Sequence, residues 1–102
     1  MEKTPSRLRG LERTRSVGFD VPVATTLRSR LLGLSFLDRD QAGSGLLIAR
    51  CRSVHTFGMR FALDLVFLDG EGAVVELRRG VPAGRVARCR RASQVLELPA
   101  PE

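Results

Sequence analysis

The sequence predicts a β-rich α+β domain: a small curved sheet or barrel-like unit with one short helix after its first strand. Three observations predict it. Apolar residues alternate with a period of two over 17–24, the spacing of a half-buried strand. Leu27, Leu31 and Leu34 then recur at helical spacing behind a pair of threonines. From Leu46 onward, short apolar runs are separated by glycine-containing turns, most plainly Asp69-Gly70-Glu71-Gly72. A chain of 102 residues makes one domain, and 43% hydrophobic against 27% charged residues excludes a wholly disordered one. All five aromatics are Phe, so the core must be built mainly from Leu and Val.

Taken in order, Met1 to Ser16 carries Lys3, Arg7, Arg9, Arg13 and Arg15 against Glu2 and Glu12. Leu8 and Leu11 alone are too few to anchor a helix. The segment therefore reads as a basic N-terminal arm, mobile or loosely docked as a strand, ahead of a single domain over 17–102. Val17, Phe19, Val21 and Val23 form the first strand, and Pro22 places it at a sheet edge or at a bulge. Thr25 and Thr26 supply capping hydroxyls for the helix, which Gly33 keeps short. Asp38 to Gly45 is a polar loop. Strands follow over Leu46 to Cys51, through the mixed stretch Ser53 to Met59, and over Ala62 to Leu68, interrupted only by Asp64. Ala73 to Leu77 returns from the hairpin turn, Val81-Pro82-Ala83-Gly84 turns again, and Gln94 to Leu98 is a last short strand.

Three segments carry a family likeness: Arg30-Leu-Leu-Gly33-Leu34, then His55-Thr-Phe-Gly-Met-Arg-Phe-Ala-Leu-Asp-Leu-Val-Phe-Leu-Asp69, then Val95-Leu-Glu-Leu-Pro-Ala100. In order and separation they resemble the DUF 192 family, small bacterial and archaeal proteins of unknown function. The resemblance runs from about Val17 to Ala100 and implies a single, mostly β domain with a helix after the first strand. It implies no particular activity. Ala62 stands where the family pattern usually has Pro, which loosens the turn into the next strand. Relatives usually continue beyond the Leu-Pro-Ala segment, whereas this chain stops at Glu102. The expectation is an unpaired sheet edge, or one filled by the basic arm. An uncovered edge favours self-association, hence a homodimer.

The densest polar constellation is Cys51, His55, Thr56, Arg60 and Asp64, with Phe57 beside it. His55 is the only histidine, the residue type that moves protons near neutral pH. Asp64 interrupts an apolar strand, and a buried carboxylate needs a partner, for which Arg60 is the nearest cation in sequence. These residues form either a binding groove for an anionic ligand or a polypeptide segment, or a structural network satisfying backbone groups. The alternative is a cysteine hydrolase or thiol-redox enzyme with Cys51 as nucleophile, His55 as base and Asp64 as orienter. No Cys-x-x-Cys pair is present, so neither a metal site nor a cofactor is expected. Cys51 and Cys89 read as small buried hydrophobes.

The formal charge is +6, and sixteen of the seventeen basic residues are Arg. Arg binds carboxylate and phosphate with a planar fork, although a chain-wide bias can also reflect genome composition. Arg78, Arg79, Arg85, Arg88, Arg90 and Arg91 crowd one stretch, which with the arm suggests weak, non-specific nucleic-acid binding. The stretch has no aromatic platform for base stacking, and a solvated loop pair explains it equally. No apolar segment near Met1 resembles a signal peptide, and no stretch exceeds about half a membrane span. A cytoplasmic protein with reduced thiols and no membrane partner is expected.

Overall fold

Eight strands and three short helices are found among the residues described by the computed structural model, 5–102. The helices are α1 (Ser6–Arg9), α2 (Leu27–Leu32) and α3 (Arg39–Ala42). The strands are β1 (Arg13–Ser16), β2 (Phe19–Ala24), β3 (Leu46–Ala49), β4 (Ser53–His55), β5 (Leu63–Leu68), β6 (Val74–Val81), β7 (Val86–Arg88) and β8 (Gln94–Pro99). Six strands make an open mixed sheet in the order β1-β2-β3-β8-β5-β6, and β4 pairs with β7 as a separate ribbon. Among the described residues only the β2–β3 pairing is parallel. The β-rich α+β class expected from the sequence is the class observed, as an open sheet rather than a closed barrel.

Period-two alternation divides the sheet's side chains between two cores. Leu63, Leu65, Phe67 and Val95 join the larger cluster with Leu34, Ile48, Val54 and Ala87, while Val66, Leu68 and Leu96 join Val21 and Leu47 on the other face. The β5–β6 hairpin is tied by the Asp69 side chain, whose Oδ1 accepts from the N–H groups of Glu71 (2.9 Å) and Ala73 (3.0 Å).

Several sequence expectations change. Strand β1 pairs with β2 through a turn at Val17 and Gly18, both at positive φ (49° and 85°), which matches strand twist. Leu8 of α1 is buried in the larger core. The Val17 pattern change is thus a hairpin turn, and β2 lies inside the sheet rather than at its edge. Pro22 is tolerated because the parallel ladder to β3 begins at Val23, one residue beyond the proline. The third helix, α3, lies in the expected polar loop, started by Gln41 accepting from the Asp38 N–H at 2.9 Å.

Thr26 and Ser29 form the reciprocal cap at the start of α2. The helix does not bury its leucine stripe: Leu27 and Leu31 are 77% and 63% exposed, and Leu34, fully buried, lies beyond the helix end. Six residues make less than two turns, too short for one face to lie along the core. The last strand, β8, is inserted between β3 and β5 with partners on both sides, and the basic arm supplies the edge strand β1. The sheet's edges are β1 and β6.

Candidate functional site

The polar residues of the middle segment are placed in three separate environments. Thr56 is fully buried, and its hydroxyl donates to the Pro82 carbonyl (2.7 Å) and accepts from the Arg85 N–H (2.8 Å). It fastens the 82–85 turn to the end of β4. Thr56→Val keeps the shape but strips both partners, so denaturant unfolding should show a loss of about 1–3 kcal/mol. Arg60 pairs with Asp38 at 3.0 Å rather than with Asp64, and both partners are exposed. Asp64 instead accepts from the Gly80 N–H at 2.9 Å, satisfying a backbone donor of β6.

His55 is held by backbone on both sides. Its Nδ1 accepts from the Phe57 N–H (3.2 Å), which leaves the proton on Nε2 to be donated to the Leu31 carbonyl (2.8 Å). Exposed Phe57 stacks on the imidazole with centroids 5.6 Å apart. The ring therefore clamps β4 to the C-terminal end of α2.

Behind this clamp sits an acid that the sequence places, with Glu76, as a partner for the arginines of 78–91, a role that its burial rules out. Glu97 of β8 is 1% exposed and accepts one hydrogen bond, from the Leu34 N–H at 3.3 Å. Burial pushes its carboxyl up to about 8, against the smaller downward pull of that N–H. It borders a cavity of about 50 Å³ lined also by Arg30, Leu31, Gly33, Ser53 and His55. Gly33 has φ +52°, and a Cβ there would stand 2.7 Å from Glu97 Oε1. Arg7 of α1 donates to the carbonyls of Gly33 (3.2 Å) and Ser35 (2.5 Å), tying the basic segment to the same loop. Residues from all three segments that carry the family likeness, Gly33 and Leu34, His55, and Glu97, thus meet at one place. The signal for Glu97 was present: it is the one acid within Val95–Leu98, as Asp64 is within its own strand.

Arg30 also lines a larger open cleft of about 590 Å³, with Arg50, Cys51, Arg52, Ser53, Arg88 and Ser93. The Arg30 guanidinium donates to the Arg50 carbonyl (2.5 Å), and that of Arg50 to the Thr25 carbonyl (3.0 Å). Arg50 adopts φ +49° in doing so. Cys51 is half-buried and donates to the Ser53 carbonyl at 3.1 Å, and burial pushes its thiol above the ordinary value. Among the described residues, no carboxylate lines this cleft. Cys51 lies here, while Thr56, Arg60 and Asp64 line neither cavity.

The crowded arginines of 78–91 do not form the expected loop pair, because β6 extends through Arg78 and Arg79 and β7 carries Arg88. Arg78 pairs with Glu76, donates to the Arg88 carbonyl and lies over the Phe67 ring. Arg91 donates to the Val75 carbonyl at 3.1 Å, and Arg79 and Arg90 are exposed. Among the described residues, no three His, Cys, Asp or Glu side chains gather where they could hold a metal ion, and no helix is long and apolar enough to cross a membrane.

Comparison with known proteins places this arrangement in context. The family model DUF192, described as an uncharacterized ACR, matches residues 9–102. No curated protein matches the chain. A crystal structure of a "putative transcription regulator" from Sinorhizobium meliloti 1021 is similar with a TM-score of 0.69 and 20% identity, covering 86% of this chain and 78% of that one. Another, of a protein of unknown function from Novosphingobium aromaticivorans DSM 12444, has a TM-score of 0.65 and 14% identity over 95% of this chain and 87% of that one. At these identities the likeness shows the fold alone.

Proposed function

The chain belongs to the DUF192 family, and from that premise we propose that it is a non-catalytic binding module that takes an anionic ligand in the arginine cleft beside His55. One observation carries the reading: four arginines line one cleft, and among the described residues no carboxylate lines it with them. Like charges gathered in this way repel, and an anion between them relieves the repulsion. The Arg52 and Arg88 side chains have no hydrogen-bond or ion-pair partner among the described residues, so their planar forks are free for a ligand. Ser53 and Ser93 add hydroxyl donors to the same wall.

The chemistry of Cys51 supports binding over hydrolysis. A nucleophilic thiol needs a lowered pKa, and burial moves this one the other way. Both ring nitrogens of His55 are already engaged by backbone, so His55 is not free to serve as the base for the thiol. Both cysteines are unpaired, which suits a cytoplasmic protein with reduced thiols.

Calorimetric titration with inorganic pyrophosphate tests the reading. Arg52→Ala and Arg88→Ala should each weaken binding about tenfold, the scale of one lost charge-assisted contact. Arg79→Ala and Arg90→Ala, outside the cleft, should leave it unchanged. Equal losses from all four substitutions would mean diffuse attraction to a basic surface and would remove the site.

A further inference from the structure

Beside the cleft lies an exposed apolar surface assembled from four elements. Leu27 and Leu31 stand one turn apart on α2, at 77% and 63% exposure, and Phe36 (60%), Phe57 (53%) and Val86 (65%) are exposed as well. Hydrogen bonds, a ring stack and strand pairing bring the segments of Leu31, Phe36, Phe57 and Val86 together. His55 bonds the Leu31 carbonyl, carries Phe57 stacked on its ring, and pairs with Val86 across the β4–β7 ribbon. Phe36 donates its N–H to the Gly58 carbonyl at 2.8 Å, and its ring sits where a Cβ on Gly58 would fall, 2.7 Å away. To hold this position Phe36 adopts φ +65°, a conformation that bulky side chains rarely take. A contiguous set of exposed large apolar side chains on a small domain marks an interaction surface.

The apolar surface and the arginine cleft share their supports. Arg30 lines the cleft and its neighbour Leu31 belongs to the apolar surface. On the ribbon, the Ser53–Arg88 pair borders the cleft, and the His55–Val86 pair lies two residues further along, about 7 Å away. We infer that the ligand of this site is an acidic polypeptide segment, whose carboxylates enter the arginine cleft while adjacent apolar side chains cover Leu31, Phe57 and Val86. The inference rests on the anion-binding reading and adds the partner's class to it. Charge complementarity selects this occupant: an acidic segment meets a cleft lined by four arginines, whereas a second copy of a +6 chain would be repelled.

The test uses the full chain and two synthetic twelve-residue peptides. One carries four glutamates followed by Leu-Leu-Phe-Leu, and the other keeps the glutamates with serines in place of the apolar residues. The first should bind at least tenfold more tightly than the second. Leu31→Gln and Phe57→Gln, both surface changes whose folding is checked by circular dichroism, should each remove most of that advantage while leaving pyrophosphate binding unchanged. Equal affinity for the two peptides, with pyrophosphate still bound through Arg52 and Arg88, would overturn the polypeptide partner and leave the anion cleft standing. Failure of pyrophosphate and both peptides to bind would overturn both readings. Tighter binding to phosphatidylserine vesicles than to the apolar peptide, lost in Phe57→Gln, would make the surface a membrane contact instead. Self-association of the unliganded chain, abolished by Leu31→Gln, would make it a contact between copies.

Discussion

Glu97→Gln removes most of the fall in stability that the wild-type protein shows between about pH 4.5 and pH 8. In the unfolded chain the carboxyl ionises near its ordinary value of 4.5, while in the folded protein burial holds it protonated up to about 8. Below pH 4.5 both states carry the proton, and the group has no effect on the pH dependence. Between the two values the unfolded state releases its proton and the folded state does not, so rising pH favours unfolding. The slope from this group approaches 1.4 kcal/mol per pH unit, and across the window it accumulates to at most about 5 kcal/mol. Above pH 8 the folded carboxyl ionises too and the decline from this group ends. Gln keeps an acceptor for the Leu34 N–H but has no proton to lose. Chemical denaturation of both proteins at pH 4, 6 and 8 provides the check. Their stability difference should shift steadily in favour of the variant, and parallel curves would show that the carboxyl ionises alike in both states.

Gly33→Ala should be the most damaging single methyl at the site, with an expected loss of about 3 kcal/mol or more. Two causes combine. At φ +52° and ψ −129° the backbone lies in a region open to glycine and strained for any residue with a Cβ. The new methyl would also stand 2.7 Å from Glu97 Oε1, whose side chain is itself enclosed. A double-mutant cycle separates the causes. Glu97→Ala makes room for the methyl and should recover the steric part, leaving a residual of about 1–3 kcal/mol from backbone strain. If the two losses simply add, Gly33 and Glu97 are not coupled and the contact between their segments has no energetic weight.

Much of the fold was legible because strand periodicity and turn chemistry are local. The strand over Phe19–Ala24, the Asp69 hairpin and the Thr26 cap all state their structure within a few residues, whereas Val17 and Gly18, read as the start of that strand, form its turn from β1. The leucine stripe of α2 misled, because periodicity reports a helical face without saying whether anything lies against it. Leu27 and Leu31 mark a real face, and it looks outward. The grouping of Cys51, His55, Arg60 and Asp64 misled in another way. Proximity in sequence along strands and turns sends successive side chains in different directions, and each found its own partner in Ser53, Leu31, Asp38 and Gly80.

The sequence by itself determined the fold class, most strand positions, the helix cap and the kinship to one family, since each depends on local pattern or on motif order. The tertiary structure decided which arginines stand together, that β8 lies in the middle of the sheet, and that Gly33, His55 and Glu97 meet. Arg30, Arg50, Arg52 and Arg88 come from a helix, a loop and a ribbon, and no spacing rule joins them. The reason is physical. Burial of Glu97 and convergence of four like charges are set by which strands pair across long stretches of chain, and pairing partners are chosen by the whole core rather than by neighbours in sequence.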